Sequence, residues 1–318
     1  MSRSETNTIS RGQAIRLLGS AALASFFPAS LVAAPKGSLP SISTMNTRTI
    51  PSSSETLPVI GLGTWIQFDV GDSRGERSQL AKVLQEMQNH GGRVIDSSPM
   101  YGSAERVAGD LTQAGEHADD FFYATKVWTS GKRQGVQQMQ SSMRKMRRST
   151  MDLMQIHNLQ DWRSHLKTLH DWKEQGLIRY IGITHYTNGS HSRLASIIRN
   201  HPIDFVQCNY SIAGRHAEQT VFRAAADKGV AVIVNRPYEG GSLFRRVKGK
   251  SLPEWVTEWD IASWGQFFLK FIISHPAVTC AIPGTSKPHH CVDNMLAGHG
   301  RIPDLKTREK MAKYLKSI

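Results

Sequence analysis

Four side chains suited to moving protons stand where apolar runs of this sequence end. Val94 and Ile95 lead into Asp96, and a phenol, Tyr101, follows five residues later. Gly102 and Ser103-Ala104-Glu105 then read as a turn and a helix start. A second run, Phe122 to Trp128, carries Lys126, and a third, Leu153 to Asn158, carries His157. Carboxylate, phenol, ammonium and imidazole together make a general acid–base set. A free phenol titrates near pH ~10 and is a weak acid at neutrality. An ammonium beside it stabilises the phenolate, and a carboxylate holds the ammonium in place. Each residue also has an ordinary use alone: a packed tyrosine with a wet hydroxyl, a helix-capping aspartate, a core histidine. It is the four in this order, each tied to a strand end, that favour chemistry.

Such groups converge only if the fold gathers strand ends. From Leu57 onward, short apolar runs alternate with amphipathic segments. The runs are 59–63, 93–96, 121–126, 151–157, 180–184, 205–209, 231–235 and 279–283. Helical patterns lie at 80–90, 162–175, 217–228 and 264–274, with Gly176 and Gly229 placed as C-terminal caps. Strand–helix alternation implies parallel pairing through right-handed crossovers. Eight units predict an α/β fold, a parallel eight-stranded (β/α)8 TIM barrel, with an open six- or seven-stranded sheet as competitor. Barrel active sites collect at the C-terminal strand ends, where Asp96, Lys126 and His157 fall. Residues 238–258 read as a long loop of the kind that serves as a functional lid.

The chain of 318 residues is 39% hydrophobic, enough for one such domain of roughly 250 residues and an extension. Residues 17–32 form an apolar, Ala-rich stretch preceded by Arg3, Arg11 and Arg16, the layout of a signal peptide. Ser10 to Leu18 resembles a twin-arginine export signal, with Gly12 at the second arginine position. Val32-Ala33-Ala34 suits cleavage, although Pro35 follows it. The expected division is a leader at 1–34, a linker or short hairpin at 35–56, and the barrel at 57–318. Export to the periplasm is expected; the alternative is a cytoplasmic protein with a disordered extension. No membrane span is expected in the mature chain. The net charge of +13 raises nucleic acid as a partner, but the densest run, Arg144 to Arg148, lacks interleaved aromatics and reads as a solvated helix end. The three cysteines have no metal-site spacing.

Asp96, Tyr101, Lys126 and His157 resemble the catalytic tetrad of the aldo-keto reductases, and the likeness extends from Leu57 to the C-terminus. It implies a nicotinamide-dependent carbonyl reductase acting on a small-molecule aldehyde or ketone, as a monomer or weak oligomer. Tyr101 would give its proton to the developing alkoxide, Lys126 would lower the phenol's pKa, Asp96 would hold Lys126, and His157 would orient the substrate oxygen. Gly61-Leu62-Gly63-Thr64-Trp65 resembles the family's first strand. Gly182-Ile183-Thr184-His185 stands where a Gly-x-Ser-Asn sequence holds the cofactor carboxamide. By the same resemblance Gln207 also holds the carboxamide, Tyr210 stacks on the nicotinamide, and Arg236 contacts phosphate or ribose unless it is an ordinary rim salt-bridge partner. Thr285, Lys287, His290 and Asn294 would hold the adenosine and its phosphate. Trp65 and Trp128 would line the substrate mouth, or pack the barrel rim.

Two departures stand out. His185 replaces an asparagine, and Gly284, Thr285 and His290 stand where many relatives place a Lys–Ser pair and an arginine on the 2′-phosphate. Lys287 and His290 are positioned to compensate, so NADP(H) is favoured, with NAD(H) possible. No GxGxxG follows an early strand, which argues against a Rossmann dehydrogenase. The rival reading is a nucleotide-binding redox sensor or regulatory module with little turnover.

Overall fold

The computed structural model describes residues 44–115 and 118–318. The leader, its cleavage site and the export signal expected within residues 1–34 lie outside the described residues. Eight parallel strands alternate with helices around a central barrel, the (β/α)8 arrangement expected from the sequence.

An antiparallel hairpin comes first, β1 (Thr47–Thr49) and β2 (Thr56–Pro58). The barrel strands follow: β3 (Leu62–Gly63), β4 (Val94–Asp96), β5 (Phe122–Val127), β6 (Met151–His157), β7 (Ile178–Thr184), β8 (Phe205–Asn209), β9 (Ala231–Asn235) and β10 (Val278–Ala281). They pair in sequence order from β3 to β10. Gly61 N donates to Ala281 O, and Ala281 N to Val59 O, joining the first strand to the last. The helices are α1 (Arg74–Asn89), α2 (Ala104–Ala114), α3 (Lys132–Lys145), α4 (Trp162–Glu174), α5 (His191–Asn200), α6 (Val221–Lys228), α7 (Ser242–Arg246), α8 (Trp264–Ile273), α9 (Pro288–Leu296) and α10 (Leu305–Ser317).

Alternation along the strands divides two cores. Residues facing outward pack under the helices, as Met154 and Ile156 do. Residues facing inward, such as Phe122, Leu153, Tyr180, Phe205 and Ile233, form a separate apolar cluster, with Ile50 and Leu57 of the hairpin joining it from below. Each such buried side chain contributes about 1.5–3 kcal/mol. The Tyr180 hydroxyl meets Ser53 and Glu55, which ties the hairpin to that floor.

Three local expectations are refined. The helical pattern at 217–228 is interrupted at Thr220 (φ −128°, ψ −82°), leaving a short turn of 3-10 helix before α6. Residues 238–258 are not a plain loop: α7 lies within them, flanked by two 3-10 segments. The basic run at the end of α3 is partly engaged, since Arg147 pairs with Asp110 of α2 and Arg148 with Asp119. Among the described residues no helix is long and apolar enough to cross a membrane.

Candidate active site

Above the apolar floor the inward-facing row changes character. Asp96, Lys126, Gln155 and Gln207 point into the barrel from β4, β5, β6 and β8, and all four are buried. Lys126 Nζ donates to Asp96 Oδ2 at 2.6 Å and to Ser97 O at 2.6 Å. The same ammonium lies 5.1 Å from the centre of the Tyr101 ring. The Tyr101 ring meets His157 edge-on, with centroids 5.8 Å apart. The structure therefore brings all four expected acid–base residues together.

Tyr101 is placed by the turn after β4. Asp69, from the loop after β3, accepts from Ser103 N and Ser103 Oγ at 2.8 Å each. Gly102 is needed there: its φ is +58°, and a Cβ would lie 2.2 Å from the Asp69 carboxylate. Ser98 Oγ lies 2.8 Å from His157 Nδ1.

The electrostatics follow from burial and from Lys126. Burial pushes the Lys126 ammonium down, but the adjacent Asp96 and Tyr101 outweigh it and hold its pKa above the ordinary lysine value. Burial raises the Tyr101 pKa, and Lys126 only partly opposes it. The lowering expected from the sequence is thus present as one influence and is outweighed. Burial, with Lys126 nearby, depresses His157 to about 2, so its ring is neutral.

The expected cofactor residues divide. Thr184 is buried at the end of β7, where its Oγ1 donates to Gln207 Oε1. His185 is half-buried beside it; its Nδ1 accepts from Tyr186 N at 3.0 Å and Thr187 N at 3.3 Å. Arg236 is exposed, its guanidinium 5.7 Å from the Tyr186 ring. Lys287 and His290 are exposed at the start of α9. Thr285 Oγ1 accepts from Lys287 N, and Asn294 Oδ1 accepts from the Tyr238 hydroxyl. A cleft of about 390 Å³ opens beyond β7, β8 and β9, lined by Tyr186, Asn188, Asn209 and Arg236 among others.

Two residues expected at the cofactor are engaged elsewhere. The Tyr210 ring is buried. It packs against Phe222 at 4.8 Å and Phe271 at 6.1 Å, and its hydroxyl engages Glu218 and Arg308. An aromatic cluster closed by an ion pair thus holds both its ring and its hydroxyl. Gln207 is also committed inward: its Nε2 donates to Asp96 Oδ1 at 2.8 Å and to Gln155 Oε1 at 3.1 Å. Its Oε1 accepts from Thr184 and from Asn235 Nδ2 at 3.2 Å each. The buried Oδ1 of Asn235, at the end of β9, has no hydrogen-bond partner.

Sequence reasoning missed Ser98, Gln155 and Asn235. A polar residue at an inward position of an otherwise apolar strand was the available signal for Gln155 and Asn235. At the rim, Trp65 and Trp128 are about half exposed, and Ile66 and Met100 join them as exposed apolar side chains. Gln138 grips the Trp128 backbone at both N and O.

Residues 59–309 match the sequence profile described as the aldo/keto reductase family. The chain is 31% identical over 138 residues to methylglyoxal reductase DkgA of Yersinia pestis, covering 41% of this chain and 46% of that protein. It is 24% identical over 221 residues to aldo-keto reductase YhdN of Bacillus subtilis, covering 63% of each. The chain therefore spans about half to two thirds of the length of these curated relatives. Among solved structures, an aldo/keto reductase of Klebsiella pneumoniae in complex with NADP and acetate aligns with a TM-score of 0.68 at 22% identity, covering 81% of this chain and 93% of that one. The holo form of an aldo-keto reductase from Bacillus halodurans aligns with a TM-score of 0.70 at 19% identity, covering 85% and 96%.

Proposed function

The chain belongs to the aldo/keto reductase family, and from that premise we propose that it reduces an aldehyde or ketone to the alcohol at the expense of NADPH. The observation that carries the reading is one ammonium shared between a buried carboxylate and a phenol that meets a neutral imidazole. The residues present fit a nicotinamide nucleotide. The unpartnered Asn235 Oδ1 is an acceptor for a carboxamide N–H. Arg236, Lys287 and His290 supply donors for its phosphates, and an anion is favoured at the N-terminus of α9. When bound, NADPH supplies the hydride to the carbonyl carbon.

The chain's own residues handle the proton. Ser98 Oγ shares a hydrogen bond with His157 Nδ1; with Ser98 as the donor, the imidazole carries its proton on Nε2 and offers it to the carbonyl oxygen. Tyr101 is protonated at neutral pH, as its raised pKa requires, and donates to the developing alkoxide. Lys126 stabilises the phenolate left behind, and solvent restores the proton. General acid catalysis of this kind is worth on the order of 10²–10⁴ in rate. The exposed Trp65, Ile66, Met100 and Trp128 favour a substrate with an apolar or aromatic body.

The commitment of Gln207 to Asp96 gives the second reading, a nucleotide-binding regulatory module with little turnover, its one specific support. NADPH oxidation by the full chain, with a panel of aromatic and aliphatic aldehydes, separates the two. Turnover by the parent, lost in Tyr101→Phe while NADPH still quenches tryptophan fluorescence, is the expected result. Nucleotide binding without turnover in both proteins selects the regulatory module. No binding of either nicotinamide nucleotide refutes both.

A further inference from the structure

We infer that Gln155 is a positioning residue: together with Gln207 it clamps the Asp96 carboxylate on the side away from Lys126, and so fixes the direction in which Lys126 meets Tyr101. The inference rests on the reductase reading above.

The Asp96 carboxylate divides its acceptors. Oδ2 takes the Lys126 ammonium, and Oδ1 takes two amide donors, Gln155 Nε2 at 2.9 Å and Gln207 Nε2 at 2.8 Å. The two amides brace each other, since Gln207 also donates to Gln155 Oε1 at 3.1 Å. Gln207 has no freedom to flip. Its Oε1 receives hydrogen bonds from Thr184 and Asn235, and a flip would set its NH₂ against the Asn235 amide and its oxygen against the Asp96 carboxylate.

The barrel makes room for this arrangement. Gln155 on β6 is the register partner of Lys126 on β5 and of Gly182 on β7. A Cβ at Gly182 would lie 2.8 Å from Gln155 Cγ, so β7 gives up a side chain to admit the amide. Packing alone does not call for a glutamine there. An apolar side chain fills such a space with no polar atoms of its own to satisfy.

What the amide supplies is direction. The terminal torsion of an aspartate is broad and roughly two-fold, so a carboxylate held only by a lysine swings and carries the ammonium with it. Two donors on the far oxygen stop that rotation. With Asp96 Oδ2 and Ser97 O each taking one ammonium proton, the remaining one has a single direction left. The charged and titratable groups around Lys126 are Asp96 on β4, Tyr101 after it, Glu105 on α2 and His157 on β6.

The test is Gln155→Leu in the full chain, with kcat, KM and NADPH affinity measured from pH 6 up to about 11.5, past the ordinary lysine pKa. The expected result is a kcat lowered on the order of tenfold or more, as misplacement of a reacting group produces. NADPH affinity stays within about twofold. The basic limb of the kcat profile moves to lower pH, because a swinging Asp96 holds the Lys126 proton less firmly. Gln155→Met, which keeps the reach of the glutamine, serves if leucine disturbs folding. A second readout needs no turnover: the Lys126 ¹³Cε titration, assigned with Lys126→Met, shifts to lower pH in the variant. A variant with the parent's kcat, or one whose kcat falls while limb and titration stay put, overturns the clamp. A parent that oxidises no NADPH with any carbonyl overturns the reductase reading instead, and the Lys126 titration then decides the clamp alone.

Discussion

Replacing Asp96 by asparagine keeps the shape of the side chain and removes its charge, and the consequences are worked from the contacts. The substituted amide would have one oxygen for two demands. If it faces Lys126, its NH₂ confronts the amides of Gln155 and Gln207; if it faces those amides, its NH₂ confronts the ammonium. Lys126 is fully buried, and Ser97 O is then its one remaining firm acceptor. Removing one partner of a buried ion pair costs about 3–5 kcal/mol. At roughly 2–4 °C per kcal/mol for a domain of this size, the variant melts about 6–20 °C below the parent at pH 7.

The pH dependence sharpens the expectation. In the parent the folded pKa of Lys126 lies above its unfolded value. Its stabilisation is therefore fully present below pH ~10.4 and is lost only as pH climbs through the folded pKa. In the variant burial acts without the carboxylate to oppose it, so the folded pKa falls below ~10.4. Between that depressed pKa and ~10.4 the unfolded chain binds more protons, and the variant gains about 1.4 kcal/mol per pH unit. Urea unfolding followed by tryptophan fluorescence at pH 7, 8, 9 and 10 measures the gap. Tyrosine ionisation occurs in both proteins and largely cancels in the difference. A gap below about 1 kcal/mol at pH 7, or one that stays constant to pH 10, refutes the reasoning.

Ser98→Ala frees His157 Nδ1, so ¹⁵N spectra that show one Nε2–H tautomer in the parent should show a mixture in the variant, with kcat reduced severalfold. Tyr210→Phe should cost about 1–3 kcal/mol by urea unfolding, through the lost contacts to Glu218 and Arg308, and leave NADPH affinity unchanged. Phenylalanine keeps the ring, so Tyr210→Leu tests the stacking role, and weakened NADPH binding in that variant would restore it. His157→Gln should resist acid better than the parent. His157 is depressed to about 2, so the parent's stability is complete above the unfolded pKa of ~6.5 and falls as pH drops, by about 2 kcal/mol at pH 5, and the difference between the two unfolding curves checks it.

The acid–base set was legible because three of its members are charged or titratable types ending apolar runs, and a parallel barrel gathers strand ends at one face. Strand alternation carried more than was used. Phe205 and Gln207 face inward on β8, so Tyr210, one residue past Asn209, has the wrong parity for the barrel mouth. The same parity places Gln155 between the inward Leu153 and His157 on β6. Other features were closed to the sequence. Arg308, which completes the Tyr210 cluster, comes from α10, 98 residues further along the chain. The Gln207 amide could have faced cofactor or carboxylate, and only the joint placement of Asp96, Gln155 and Thr184 decides between them.

The histidine at 185 shows how a departure in sequence can preserve a local job. An imidazole Nδ1 is as many bonds from Cα as an asparagine Oδ1, and both accept hydrogen bonds. His185 Nδ1 receives the backbone N–H groups of Tyr186 and Thr187 and thereby shapes the turn that leaves β7. An asparagine oxygen would serve the same two donors. With Nδ1 occupied as an acceptor, the ring proton belongs on Nε2, and burial, helped by Arg193, keeps the ring neutral by lowering its pKa. The donor that asparagine would offer from Nδ2 is thus offered from a nitrogen set one bond further out. Whatever carboxamide meets this edge of the barrel must sit correspondingly further from β7. The unpartnered Asn235 Oδ1 on β9 supplies an acceptor there that Gln207, turned toward Asp96, does not. With a carboxamide bound at this edge, His185 Nε2 would offer it a donor and Asn235 Oδ1 an acceptor, while the inner Gln207 amide braces Asp96.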